Sequence, residues 1–256
     1  ANYSDQLSVT ASCPIAGPYS MSGPQRLMLE SGEPYPNPGY LPYVLFAYNN
    51  IYNLYDDIND VLIPPYNNAL LELYDGTYSM WEINDAMWEI GNEVFGISEN
   101  EFTPIQIFDN TYYEEYLNNN NHPLKLALAD NDVYNFTPQS PMLLLHCSGD
   151  DNVAYENSEI AHNYFIETGA LNVVLSDGGD FDHGECAGSA ILSAKTWIDT
   201  MADLCEPTNL SEITHKQKTT LYYIDVLGRY ISEDTSNKNI IKIYSDGSYH
   251  KIFKIN

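Results

Sequence analysis

The chain has 256 residues, 44% hydrophobic and 13% aromatic, enough to bury one large domain with a small appendage. Thirty-six acidic residues against ten Lys and Arg give a formal net charge of -26, which repels phosphate backbones and anionic lipid, so neither nucleic acid nor a membrane surface suits the main body as partner. No apolar run approaches the ~18 to 20 residues of a membrane helix. The opening ANYSDQL has neither a Met nor a basic-then-apolar leader, and reads as a processed chain or a fragment.

In chain order, LSVTASCPIA (7 to 16) is β-branched and apolar and predicts a buried strand, closed by the turn GPYSMSGP. From about 24 to 135 the chain is rich in Tyr and Asn and falls into short helical patterns: 41 to 55, 67 to 74 and 103 to 108, punctuated by Pro and by NNNNHP. No strand pattern interrupts them, which predicts an all-helical insertion of about a hundred residues. Alternation then returns. MLLLHC (142 to 147) predicts a strand, 156 to 168 a helix stopped by Gly169, 171 to 175 a strand, and 187 to 204 a final helix. Continuous apolar strands separated by helices imply parallel βαβ units, hence an α/β fold.

The last segment differs. Residues 1 to 209 carry three basic residues against 31 acids, net -28, whereas 210 to 256 carry seven against five, net +2. Short β patterns at 219 to 225, 240 to 244 and 249 to 255, split by turns containing LGR and SDGS, predict a small antiparallel module. The organisation expected is therefore one unit over 1 to 205 and a second over 206 to 256. Four cysteines form no CxxC pair, which argues against a zinc or redox motif. Cys13 and Cys147 read as small buried residues. Cys186 and Cys205 flank a predicted helix about 25 Å long, so bridging them requires one to fold back.

The chemistry lies at the carboxyl ends of the two parallel strands, where such sheets gather ligands. Asp150 and Asp151 follow the first strand, and SDGGDFDHGE (176 to 185), containing His183, follows the second. An aspartate in such a loop is commonly a turn former and a single histidine a solvated residue; their recurrence at consecutive strand ends is what points to a site. An Asp that accepts the Nδ1 proton of a His fixes its tautomer and stabilises the imidazolium formed when the ring takes a proton from a nucleophile. Asp150 and His183 are thus the candidate catalytic pair, with Asp151 facing solvent or starting the next helix. The spacing of Asp177, Asp180 and Asp182 is not that of a calcium loop. No cofactor and no metal are expected.

The segments HPLKLALADNDVYNFTPQSPMLLLHCSGDDNVAYENSEIAHNYFIETGA and VVLSDGGDFDHGECAGSAILSAKTWI resemble the carboxyl-terminal part of a secreted α/β-hydrolase of the esterase/lipase and prolyl-oligopeptidase-like type. Its h-G-x-x-D-x-x-V-P-Y segment is matched by Asp150, Val153 and Tyr155, with Cys147 in place of Gly and Ala154 in place of Pro. Its G-x-x-H turn is matched by His183. The resemblance covers about 200 residues and implies the last strands of the hydrolase sheet, a helical cap over 24 to 135, and the Asp and His of a Ser-His-Asp triad. The G-x-S-x-G elbow that holds the nucleophile is absent; Ser20, Ser22 and Ser148 do not occupy its place, so the serine is expected upstream of this chain. LYYIDVLGRYISEDTSNKNIIKIYSDGSYHKIFKIN is similar to the sorting tail of proteins exported by the type IX system of Bacteroidota, without the usual Y-P-N-P opening.

These features lead to an expected secreted or cell-surface serine hydrolase, with a small-molecule ester or peptide as substrate and the export machinery as partner of the tail. Tyr40, Tyr43, Tyr48, Trp81 and Trp88 are candidates for lining an apolar pocket in the cap, or for packing its helices. An exported binding protein that keeps the fold without the nucleophile is the rival expectation.

Overall fold

A computed structural model of the chain describes residues 9–201, 219–224, 230–232, 239–245 and 249–253. They fall into two compact units, Ala1–Ala202 and Asp203–Asn256.

The first unit is organised around strand β1 (Met142–His146), which pairs in parallel with β2 (Val173–Asp177), from Met142 opposite Val173 to His146 opposite Asp177. On its other edge β1 meets the segment around Ser12 to Ala16 through parallel bridges at Ser12 and Ile15. That segment was expected as a buried strand and is instead a half-buried, broken one. Hydrogen bonds run from Ser12 N–H to the Pro141 carbonyl, from Leu143 N–H to Ser12, from Leu145 N–H to Pro14 and from Ala16 N–H to Leu145. Pro14 has no N–H and leaves a gap in this ladder. β1 is therefore the central strand, and its apolar run is explained by burial on both faces. Leu143 and Leu145 pack with Cys147, Cys186 and Ala190, whereas Leu144 packs with Ala161 and Phe165. Each such leucine contributes about 1.5 to 3 kcal/mol.

Helices α7 (Glu156–Glu167) and α8 (His183–Met201) follow the two strands. Gly169, at φ 95°, ends the turn after α7 in the left-handed region that glycine adopts freely. β2 starts two residues later than its apolar pattern suggests: Leu171 is 92% exposed, and Asn172 contributes a carbonyl to the Met142 N–H. Only Val173 of it is buried and Val174 is exposed, so it is not the two-face-buried strand expected from its sequence.

Between Gln25 and Asn131 lie helices α1 (Arg26–Glu30), α2 (Tyr40–Tyr52), α3 (Tyr66–Leu73), α4 (Met80–Phe95), α5 (Asn110–Asn118) and α6 (Pro123–Asp130). The segment at 103 to 108 forms a 3-10 turn, Pro104–Ile107. α4 has matched ends: Ser79 and Glu82 form a reciprocal capping box, and Gly96 closes it in the left-handed conformation. Ile83, Met87 and Gly91 recur at four-residue spacing on its buried face. Ile83 and Met87 join Leu45, Val61, Leu62, Tyr66, Leu70, Phe102 and Ile107 in a core belonging to these helices.

The cysteines pair otherwise than their positions suggest. Cys147, read as a lone buried residue, forms a disulfide with Cys186, 39 residues away, at a Cα separation of 6.1 Å. The chain returns over β1 when α8 begins, and no sequence spacing reveals that return. Cys205 lies outside the described residues.

The second unit contains β3 (Thr220–Ile224), β4 (Tyr230–Ile231), β5 (Asn239–Tyr244) and β6 (Tyr249–Phe253), in the antiparallel order β4-β3-β5-β6. β4 is an addition to the three predicted patterns. The LGR turn, most of SDGS and the linker CEPTNLSEITHK lie outside the described residues. Among the described residues no helix is long and apolar enough to cross a membrane.

Candidate active site

The acid loop starts where β1 ends. Asp150 Oδ1 accepts the backbone N–H groups of Asn152 (2.9 Å) and Val153 (2.8 Å), an Asx-type turn that fixes the carboxylate on its own loop. Oδ2 accepts Nδ1–H of His183 at 2.8 Å. The Asp150 side chain is fully buried and that of His183 is 39% exposed, so the pair has a sealed end and an open end. Burial pushes the Asp150 carboxyl up. The donors from His146, the Val153 N–H, His183 and the Asn152 N–H outweigh this and hold it down to about 2. A carboxylate is an acceptor only, so the shared proton sits on Nδ1 of His183 and Nε2 keeps its lone pair.

His183 was expected in a loop and is the first residue of α8. Asp182 Oδ1 caps that helix by accepting Glu185 N–H at 2.7 Å, and Asp151 Oδ1 accepts His183 N–H at 3.2 Å. Asp151 faces solvent, one of its two expected places, and also caps the histidine's helix. Both anions sit at the positive end of the helix dipole.

Asp177 Oδ1 accepts Ser148 N–H (3.1 Å) and Gly179 N–H (2.8 Å) and stitches the two loops together. Those bonds lower its carboxyl, the Gly179 N–H most. Two glycines let the loops approach. A Cβ at Gly178 would lie 2.5 Å from Cys147 Sγ, and one at Gly149 would lie 2.9 Å from the Phe181 backbone nitrogen. The disulfide adds a covalent tie, joining the residue three before Asp150 to the residue three after His183. Cys147 stands where the hydrolase segment has Gly. Among the described residues no cluster of His, Cys, Asp and Glu is arranged to hold a metal ion.

Sequence reasoning missed His146. It sits within an apolar run, yet its side chain is 0% exposed and lies 3.3 Å from Asp150 Oδ2. A histidine as the one polar residue of a buried strand is itself the signal, because a buried polar group needs partners.

Beside the pair opens a cavity of about 350 Å³, lined by His183, Asn152 and Val153 and by the largely apolar wall of Met21, Leu29, Val44, Ile105 and their neighbours. Of the aromatic residues that could line a pocket or pack cap helices, Tyr40 and Tyr43 line it. Trp81 is 75% exposed, and Tyr48 and Trp88 pack against the cap core. Several polar side chains of its wall are already engaged, whereas the Tyr112 hydroxyl, also in the wall, is buried without a hydrogen-bond partner among the described residues. Tyr35 O–H donates to the Asn152 carbonyl, Gln25 bonds Asn152 and Ala154, and Tyr116 O–H and the Arg26 guanidinium both donate to Glu30.

Among the described residues no serine hydroxyl bonds the His183 ring. No protein-family model matches the chain, and no curated protein matches it by sequence. Solved structures do. A hydrolase candidate from Legionella pneumophila superposes with a TM-score of 0.65 at 22% identity, over 80% of this chain and 51% of that one. The rice cell wall degrading esterase LipA from Xanthomonas oryzae superposes with a TM-score of 0.58 at 24% identity, over 78% and 51%. A ligand-bound form of LipA gives 0.56 at 25%, over 76% and 49%. The chain spans about half the length of the solved structures it matches, and over that half it shares the fold of proteins described as hydrolases and esterases.

Proposed function

We propose that the intact protein is an exported serine hydrolase that cleaves esters by acyl transfer, with His183 as general base and Asp150 orienting it. The observation that carries this reading is the 2.8 Å bond from His183 Nδ1 to a fully buried Asp150, at the wall of an apolar cavity. The serine comes from a segment outside this chain. Its Oγ attacks the ester carbonyl carbon while Nε2 of His183 takes the hydroxyl proton; the resulting imidazolium is stabilised by Asp150. Collapse of the tetrahedral intermediate breaks the bond to the alcohol, which leaves with the Nε2 proton. Water repeats the sequence on the acyl-enzyme and restores the serine.

Ester is favoured over peptide by the cavity wall. A peptide brings N–H and C=O groups that lose water on entry and need partners, and the wall is largely apolar, with Gln25, Arg26, Tyr35 and Tyr116 already bonded within the protein. Export is supported by the sorting-like tail and by a disulfide, which persists in oxidising compartments.

Fluorophosphonate labelling of the full-length protein tests the reading. One labelled serine, protected by an apolar ester, is the expected result. A protein that takes no label and hydrolyses no ester is instead a binding protein that kept the fold.

A further inference from the structure

His183 is not the sole imidazole on Asp150. His146, the last residue of β1, is fully buried, with Nε2 3.0 Å from the Val153 carbonyl oxygen and 3.3 Å from Asp150 Oδ2. Its Nδ1 lies 2.7 Å from Ser158 Oγ in the first turn of α7, and the ring packs against Tyr155 at 5.4 Å between centroids. The partners fix the proton. A carbonyl and a carboxylate both only accept, so Nε2 carries hydrogen, directed at Val153 with Asp150 as the longer branch; Nδ1 then accepts from the Ser158 hydroxyl. Every polar atom of the ring is satisfied without a buried cation, the arrangement a sealed site favours.

Asp150 is therefore held on four sides. Oδ1 takes two backbone N–H groups, and Oδ2 takes one imidazole from β1 and one from α8. Neither oxygen can swing away from His183 without abandoning a donor. The donor on β1 also draws charge from the oxygen that faces His183, which weakens that oxygen's hold on a proton-loaded imidazole. We infer that His146 is a positioning residue for the proposed hydrolysis: it aims Asp150 Oδ2 at His183 and tempers the basicity of His183 through it, with Ser158 holding the far side of its ring. The inference rests on the acyl-transfer reading and deepens it. The other ionisable groups facing this corner are Asp151, whose carboxylate bonds the His183 N–H, Asp182 at the α8 cap, Asp177 across the two loops, and Tyr35 and Tyr155. All remain in place in the variants below.

The experiment uses the intact protein with histidine-selective nitrogen labelling and apolar ester substrates. His146→Phe removes the donor while keeping an aromatic ring. The pH midpoint of the His183 ring signals, and the acidic limb of kcat/KM, are expected to move up by about one pH unit, with kcat reduced about tenfold and KM unchanged. His146→Gln, which returns an N–H donor, is expected to bring both midpoints part of the way back. Should His146→Phe not fold, His146→Leu serves: it removes the donor with a smaller apolar side chain, and both midpoints shift in the same direction. A folded His146→Phe or His146→Leu protein that loses thermal stability but keeps both midpoints and kcat reduces His146 to core packing and overturns the inference. Asp150→Asn separates the two failures. Loss of hydrolysis in that variant with no effect from His146 defeats only the positioning role, whereas full activity of Asp150→Asn defeats the hydrolase reading itself.

Discussion

The acid and histidine loops and the helical cap are held together by opposite means. At the loops the contacts are polar and covalent: Asp150, Asp151, Asp177 and Asp182 each accept backbone N–H groups, and Cys147 is bonded to Cys186. The cap relies on apolar burial, with Tyr66, Leu70, Met87 and Phe102 essentially inaccessible to water. Directional bonds fix where two side chains point, which is what proton transfer requires; apolar packing fixes a volume, which is what an uncharged substrate group requires. On the proposed function, one region would govern chemistry and the other selectivity.

The largest expected effect tests the first half of that contrast. His183→Ala in the intact protein lowers kcat/KM on esters by about 10⁴-fold or more, while the half-exposed ring contributes little to packing; calorimetry should show nearly unchanged unfolding. Full retention of activity would mean that the site has been misassigned. The second half is tested by Met87→Ala, which opens a void in the cap core and costs about 2 to 5 kcal/mol in denaturant unfolding, with no shift in the pH dependence of kcat.

Acid provides a smaller effect at the loops. The Asp150 carboxyl is depressed from its ordinary 3.8 to about 2 in the folded chain. Its contribution, about 2 kcal/mol, is fully present above the unfolded value near pH 4 and is lost as pH falls through about 2. Asp150→Asn should flatten the fall in stability across that window, measured by urea midpoints at stepped pH. The smallest effect belongs to the cavity wall. Val44→Trp fills space beside His183 and should reduce kcat/KM on long-chain esters about tenfold, or about 1.4 kcal/mol, leaving acetate esters unchanged. Equal losses on both would show that the wall does not select.

The sequence revealed the parts whose cause is local. A short, unbroken run of leucines in a chain that alternates with helical patterns reads as a strand buried on both faces, and an Asp just beyond it lies at the strand's mouth, so β1 and the place of Asp150 were legible. The helical nature of 24 to 135 was legible too, because no alternating pattern interrupts it. What escaped depends on chain segments meeting. Cys147 and Cys186 are brought together by a strand and a helix that intervene between them. Asp151 caps a helix thirty-two residues away, so its role is invisible beside its own neighbours. His146 hid in an apolar run, and the tyrosines and tryptophans of the cap were indistinguishable by pattern although they divide among cavity wall, core and solvent.

The bridge from Cys147 to Cys186 has a consequence for where the protein can mature. It closes a loop between residues 39 apart that begins just before the acid and ends just after the base, so oxidation fixes the spacing of both partners in one step. Newly made chains in a thiol-rich cytosol have only hydrogen bonds to keep that spacing. If the protein is exported as proposed, arrival in an oxidising space is the event that locks the two loops in register, and full activity would be coupled to leaving the place of synthesis.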